Sequence, residues 1–342
     1  MKLVTIVVPV YHNAKSLRDV LTRFQQVADG EPEDFEFIFV DDGSRDDSFR
    51  VLEELARRDS RVRAVKLVRN FGSNAASSAG IAHAQGDAVV AISADLQDPP
   101  ELIGDMLAHW RMGSKIVLAA RADREDPWLT KVTSNIFWRL IRRFGLPNMP
   151  KHGCDYLLID RVVLDALRHT HEPNAGIGMV LWTGYEPAIV YYKREKREAH
   201  YGRSGWSFSK RITYLIDFFV SFSHMPIRAA SLLGIGLAFL GFIYACLIVA
   251  SRLLYGSESE LARGWYSMIV ILLIVSGVQL LMLGVVGEYL VRGLEGIRRR
   301  PPYLIERVVD GSDEPDNEPE PTDLAAVARP SEQPADRIEQ QL

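Results

Sequence analysis

The sequence predicts an α/β domain with a doubly wound, mostly parallel sheet, followed by an interfacial helix and two transmembrane helices. Three observations carry this. Residues 1–205 alternate short, β-branched apolar runs with amphipathic stretches. Two stretches of 23 residues, 229–251 and 265–287, contain no charged side chain. One apolar run ends abruptly in an acid and an amide two residues apart, Asp95 and Gln97, before Pro99-Pro100.

Strand-like runs fall at 4–10, 35–40, 62–68, 88–93 and 115–120, with helix-like stretches at 16–28, 46–58, 74–84 and 101–110. Continuous apolar strands separated by amphipathic helices are those of a parallel sheet covered on both faces. Ligands of such a sheet gather at the carboxyl ends of its strands. Asp41-Asp42-Gly43-Ser44 and Asp95-Leu96-Gln97 both fall there, which predicts one shared site. Alternation along a strand puts Asp95 and Gln97 on the same side. Two hard oxygen ligands suit Mg²⁺ or Mn²⁺ and leave positions for a diphosphate.

The boundaries expected are a catalytic domain over 1–205, a juxtamembrane helix over 206–226, a two-helix transmembrane region over 227–300 and a disordered acidic tail over 301–342. In the juxtamembrane segment Phe208, Ile212, Leu215, Phe219 and Phe222 recur at helical spacing, with Lys210 and Arg211 on the polar side. Such a stripe next to a spanning helix favours the membrane interface. Each uncharged stretch is long enough to cross a hydrocarbon core about 30 Å thick. Lys210, Arg211 and Arg228 precede the first span, and Arg292, Arg298, Arg299 and Arg300 follow the second. The positive-inside rule then predicts a multi-pass protein of the inner (cytoplasmic) membrane, with catalytic domain and tail in the cytoplasm.

The net charge of −4 hides a division, because from Asp310 onward there are ten acids and two bases. The remainder is basic and suits a partner with phosphates or an anionic membrane surface. No nucleic-acid partner is expected. The two cysteines, Cys154 and Cys246, form neither a disulfide framework nor a zinc spacing, which fits a reducing compartment. The first ten residues read as a strand rather than as a signal peptide.

Four motifs in order carry a resemblance: Val8-Pro9-Val10-Tyr11-His12-Asn13, Val40-Asp41-Asp42-Gly43-Ser44, Arg69-Asn70-Phe71-Gly72, and Ser93-Ala94-Asp95-Leu96-Gln97-Asp98-Pro99-Pro100. Together they closely resemble family 2 glycosyltransferases of the GT-A fold. The Asp-Leu-Gln-Asp-Pro-Pro stretch followed by paired apolar spans resembles the polyprenyl-phosphate glycosyltransferases within them, over roughly residues 1–300. The resemblance implies a nucleotide-sugar donor met by Pro9, Tyr11, Asn13, Asp41, Asp42 and Ser93. It implies a Mg²⁺ or Mn²⁺ ion on Asp95 and Gln97 that neutralises the departing diphosphate. Many relatives have Asp where Ser93 stands, so one carboxylate is replaced here by a hydroxyl.

On the acceptor side, the resemblance implies that Arg121, Lys131 and Ser134 meet the phosphate of a polyprenyl phosphate such as undecaprenyl phosphate. Arg197, Arg203 and Ser204 would close on the diphosphate from a mobile loop. Asp155 matches a family acid near the reacting centre and is expected, with Asp95, to serve catalysis. A lipid phosphate is already ionised near neutral pH, so it attacks the anomeric carbon without a strong base. The expected activity is an inverting transfer of one sugar from a UDP- or GDP-sugar, for synthesis or modification of cell-envelope glycan. The rival readings are transfer to a saccharide or protein acceptor by the same fold, and a non-catalytic membrane scaffold. Two spans per chain leave room for protomers to pack as a homo-oligomer.

Overall fold

The computed structural model describes residues 2–95, 97–122, 138–143, 145–151, 153–167, 176–192, 225–255, 265–298 and 300–311. The chain runs β1 (Leu3–Val10), α1 (Leu17–Asp29), β2 (Asp34–Asp41), α2 (Ser48–Arg58), β3 (Val62–Leu67), α3 (Ser73–His83), β4 (Ala88–Ala91), α4 (Leu102–Arg111) and β5 (Ile116–Arg121). It continues through β6 (Tyr156–Asp160), α5 (Arg161–Leu167), α6 (Gly176–Trp182) and β7 (Ala188–Tyr192). Two long helices, α7 (Met225–Tyr255) and α8 (Trp265–Arg298), lead to a last strand, β8 (Ile305–Asp310).

The eight strands make one sheet in the order β7-β5-β6-β4-β1-β2-β3-β8. β6 and β8 run against the other six, so the sheet is mostly parallel, as expected. Alternation within each strand splits the core into two layers. On one face, Ile6, Val8, Phe37 and Phe39 pack with Leu17, Val20 and Phe24 of α1, Leu52 of α2 and Met106 of α4. On the other, Val7, Ile38 and Val40 pack with Ala76 and Ala79 of α3 and with Val163 and Val180 of α5 and α6. The small residues of α3 let it lie close, and a Cβ on Gly80 would collide with Val7 Cγ1.

The topology fixes where a ligand goes. From β1 the chain moves outward through β2 and β3, then returns to place β4 on the other side of β1. The crevice therefore opens between the ends of β1 and β4. The Ser16 hydroxyl bridges it, within hydrogen-bond reach of Asn13 O at 3.1 Å and Ala94 O at 3.2 Å. Because β6 is antiparallel, its start lies at the same sheet edge as the ends of β4 and β5, with Tyr156 opposite Ala119.

Helices α7 and α8 contain segments, Met225–Tyr244 and Ile274–Leu294, each with mean hydropathy 1.8 and long and apolar enough to cross a membrane. A Cβ on Gly234 would stand 2.9 Å from Met282 Cε, so the glycine lets the two helices close at that point. Met225 and Pro226, expected in the juxtamembrane helix, already belong to α7. The rest of that helix lies outside the described residues.

One expectation needs correction. The acidic tail was to begin at residue 301, yet 305–310 form β8, the edge strand beside β3. Val309 is 3% exposed and joins the core. Lys66 Nζ meets Glu306 at 2.8 Å, and Arg307 meets Glu53 at 2.9 Å. Within 305–310 only Val309 is buried, and the charges of Glu306, Arg307 and Asp310 hide the strand in the sequence.

Candidate active site

The expected site residues converge on one sheet edge. Tyr11 and Asn13 follow β1, Asp41 ends β2, Ser93, Asp95 and Gln97 follow β4, Arg121 ends β5 and Asp155 precedes β6. Pro9 sits within β1 opposite Val40. Lys131, Ser134, Arg197, Arg203 and Ser204 lie outside the described residues.

Asp41 and Asp42 do different work. Asp42 accepts the Phe71 amide at 2.6 Å and the Gly72 amide at 2.9 Å, one on each carboxylate oxygen. It thereby fastens the loop 69–72 to the end of β2. Gly43, at φ +66°, makes this approach feasible, since a Cβ there would stand 2.5 Å from the Arg69 carbonyl carbon. Asp42 thus serves first as an anchor for the loop, where the sequence suggested a direct contact with base or ribose. Asp41 is 0% exposed and accepts the Ser44 amide at 3.2 Å on Oδ2. Its Oδ1 is buried with no hydrogen-bond partner among the described residues. Burial raises the pKa of both acids, against the lowering effect of the amides they accept. A buried acceptor without a donor is costly unless a ligand supplies one.

Beside it, the Tyr11 and His12 rings stack at 4.2 Å between centroids. His12 has φ +56°, in the left-handed region, and is held there from both ends. Its amide donates to Ser44 Oγ at 3.0 Å, and its Nε2 accepts the Arg45 amide at 3.2 Å. The β1 and β2 loops are so joined, leaving Tyr11 47% exposed just beyond the end of β1.

After β4 the chain turns through Ser93 to Asp98. Asp95 Oδ1 accepts the Ser93 hydroxyl at 2.8 Å and the Gln97 amide at 3.3 Å. Asp98 is 4% exposed and lies 3.3 Å from the same hydroxyl. Among the described residues no group of three or more His, Cys, Asp and Glu could hold a metal. Oxygens of Asp95 and Gln97 suit a hard divalent cation, whose remaining positions a diphosphate and water would fill.

Asp155 forms a two-pronged ion pair with Arg121, whose Nε donates at 2.8 Å to Oδ2 while a terminal nitrogen donates to Oδ1. Burial works against the guanidinium charge, yet the Asp155 hydrogen bonds and charge hold its pKa above the ordinary value. Arg121, expected to meet the acceptor phosphate, thus has one edge of its guanidinium on Asp155. Its five N–H groups leave the other edge of the fork for a ligand. Sequence reasoning missed Asp98 and Tyr192, which complete this side: the Tyr192 hydroxyl lies 2.6 Å from Asp98 and 2.9 Å from Asp155. The signal for Asp98 was its place in the Asp-Leu-Gln-Asp-Pro-Pro stretch; Tyr192 lies beyond the last strand-like run read from the sequence, with no motif around it.

Residues 5–168 match the family model described as glycosyl transferase family 2. A glycosyltransferase of Bacillus subtilis (strain 168), YkcC, is 37% identical over 89% of this chain and 93% of its own. The undecaprenyl-phosphate 4-deoxy-4-formamido-L-arabinose transferase of Edwardsiella ictaluri (strain 93-146) is 34% identical over 94% of this chain and 98% of its own. The SfII prophage-derived bactoprenol glucosyl transferase of Shigella flexneri is 32% identical over 89% and 97%. With the sheet, crevice and acid-rich edge described above, these likenesses make the chain a member of glycosyl transferase family 2, a GT-A glycosyltransferase similar to members named for undecaprenyl phosphate and bactoprenol.

Proposed function

We propose that the protein is an inverting, membrane-bound transferase that moves one sugar from a UDP- or GDP-sugar to a polyprenyl phosphate such as undecaprenyl phosphate. The observation that carries it is the gathering at one sheet edge of an unfilled buried acceptor, an acid–amide turn and a buried Arg–Asp pair. Each fits one part of the reaction. Asp41 Oδ1 takes an N–H or O–H of the base or ribose, with Tyr11 against the base. Arg121 offers its free edge to the acceptor phosphate, while Asp155 holds the guanidinium plane in place. The phosphate arrives ionised, so these residues have to orient and neutralise rather than remove a proton. A Mg²⁺ or Mn²⁺ ion on Asp95 and Gln97 would supply charge neutralisation at the departing diphosphate.

The two apolar helices support a membrane location, and the acceptor is supported by relatives named for undecaprenyl phosphate and bactoprenol. β8 follows α8 and pairs with β3, so the chain leaves and rejoins the catalytic domain on one side of the helical hairpin. Arg228 before it and Arg292, Arg298 and Arg300 after it support a cytoplasmic position for that side, by the positive-inside rule. The test is to supply membranes containing the protein with undecaprenyl phosphate and a panel of labelled nucleotide-sugars. A solvent-extractable, mild-acid-labile product is expected, and its loss with EDTA. Label that stays with polymer moves the acceptor to a saccharide or protein; no transfer from any donor overturns the proposal.

A further inference from the structure

Tyr192 stands between two parts of the site that the sequence does not join. It ends β7, beside Arg121 in the sheet register, and is 5% exposed. Its hydroxyl lies 2.6 Å from Asp98 Oδ1 and 2.9 Å from Asp155 Oδ2. Asp98 belongs to the turn that carries Asp95 and Gln97, and its other oxygen lies 3.3 Å from Ser93 Oγ. Asp155 belongs to the other side, in the fork of Arg121. The chain of contacts therefore runs Asp95, Ser93, Asp98, Tyr192, Asp155, Arg121, and crosses from the turn after β4 to the end of β5.

We infer that Tyr192 is a positioning residue for sugar transfer: its hydroxyl ties the Asp95–Asp98 turn to the Asp155–Arg121 pair and sets their separation. This deepens the proposed function and rests on it. Two carboxylates facing one another without a donor between them repel. The phenol has one proton to donate and separates the two carboxylates, standing within hydrogen-bond reach of each. Its ring is itself fixed, lying edge-on to Tyr156 at 6.1 Å between centroids, while Tyr156 donates to Pro99 O at 2.9 Å. Burial raises the Tyr192 pKa, and the charges of Asp98 and Asp155 raise it further, so the hydroxyl keeps its proton at working pH. In-line transfer needs the attacking phosphate and the leaving diphosphate at a fixed separation, and a misplacement of about 1 Å is worth on the order of a hundredfold in rate.

The test uses the full chain in detergent or bilayer discs, with Tyr192→Phe, Asp98→Ala and the double variant. Tyr192→Phe is expected to lower kcat on undecaprenyl phosphate by roughly 10–100-fold. Donor KM and the calorimetric affinity for UDP with Mn²⁺ should stay within about twofold, because Asp41 and Tyr11 are untouched. The double variant should be no slower than the slower single variant, since both remove the same link. An unchanged kcat overturns the inference. So does a fall in kcat matched by a rise in donor KM or a loss of UDP–Mn²⁺ binding, which would put Tyr192 in the donor pocket or the general scaffold. Should Tyr192→Phe not fold, Asp98→Ala cuts the link from its other end and is read in the same way. If the wild-type protein gives no lipid product, the proposed function falls, and Tyr192 is judged by kcat for hydrolysis of the nucleotide-sugar.

Discussion

Asp155 and Arg121 meet through two parallel hydrogen bonds, Nε to Oδ2 at 2.8 Å and a terminal nitrogen to Oδ1, with both side chains mostly buried. Lysine carries the same charge without the fork. Arg121→Lys should therefore keep donor binding but lower kcat/KM for the lipid phosphate, by an order of magnitude or more. Steady-state kinetics with the lipid phosphate varied check this. Equal activity in the lysine variant would mean that only charge, and not orientation, is needed at the end of β5.

Asp41 trades stability for binding. Its pKa is raised above the ordinary 3.8, with burial the largest cause. The folded state thus binds the proton more tightly than the unfolded chain does. Stability is highest with the group protonated and falls as pH rises from the ordinary carboxylate range through the raised value. Asp41→Asn should melt at a higher temperature than wild type at neutral pH, with the gap closing in acid. The same variant should lose UDP or GDP affinity by about ten- to a hundredfold, because a hydrogen bond to a charged group is worth roughly 1.5–3 kcal/mol. Calorimetry and melting curves at several pH values check both halves.

Asp42 and Gly43 should behave in the opposite way. Asp42→Ala leaves the Phe71 and Gly72 amides without their acceptor, which costs about 1–3 kcal/mol for each amide left buried. Gly43→Ala combines the φ of +66° with a collision against the Arg69 backbone. Both should lower the melting temperature and weaken donor binding together. Loss of donor binding in Asp42→Ala at an unchanged melting temperature would restore a direct ligand contact for Asp42.

Much of this layout is legible in the sequence, for physical reasons that also mark where the legibility ends. An apolar run that stops at an acid announces a strand end, so Asp41, Asp95 and their shared edge can be read locally. The division of labour between Asp41 and Asp42 cannot, because it depends on amides some thirty residues away. The pairing of Arg121 with Asp155 could not be read locally, since Asp155 lies 34 residues on, just before an antiparallel strand only five residues long. Tyr192 gave no polar signal beside Ile189 and Val190. Glu306 and Arg307 made β8 resemble the acidic tail that follows it.

Ser93 offers a gain-of-function test of the turn after β4. Its hydroxyl lies 2.8 Å from Asp95 and 3.3 Å from Asp98. Ser93→Asp would put a third carboxylate in that space and repel both neighbours while no cation is present. The variant should melt below wild type in EDTA, and recover more than wild type does when Mn²⁺ and UDP are added. Its apparent Mn²⁺ affinity should rise. A variant destabilised equally with and without Mn²⁺ would remove the cation from this turn.

The return of the chain to β3 after α8 makes the final prediction. Val68 N donates to Leu304 O at 3.0 Å, one residue before the Arg69–Gly72 loop that Asp42 holds. Tyr303 and Ile305 pack against the core layer that contains Val65 and Leu67. The segment that follows the second long helix is thus bonded to the strand that leads into the proposed donor side of the site. A chain ended after Gly311 should transfer sugar at the wild-type rate, because every one of these contacts remains. A chain ended after Arg300 exposes the edge of β3 and should lose both stability and donor binding. Val309→Asp separates fold from length: it keeps the strand but buries a charge in the core at a cost of several kcal/mol. It should reproduce the effect of the shorter truncation, measured by melting temperature and UDP affinity. Wild-type stability in either variant would mean that β8 lies along β3 without holding it.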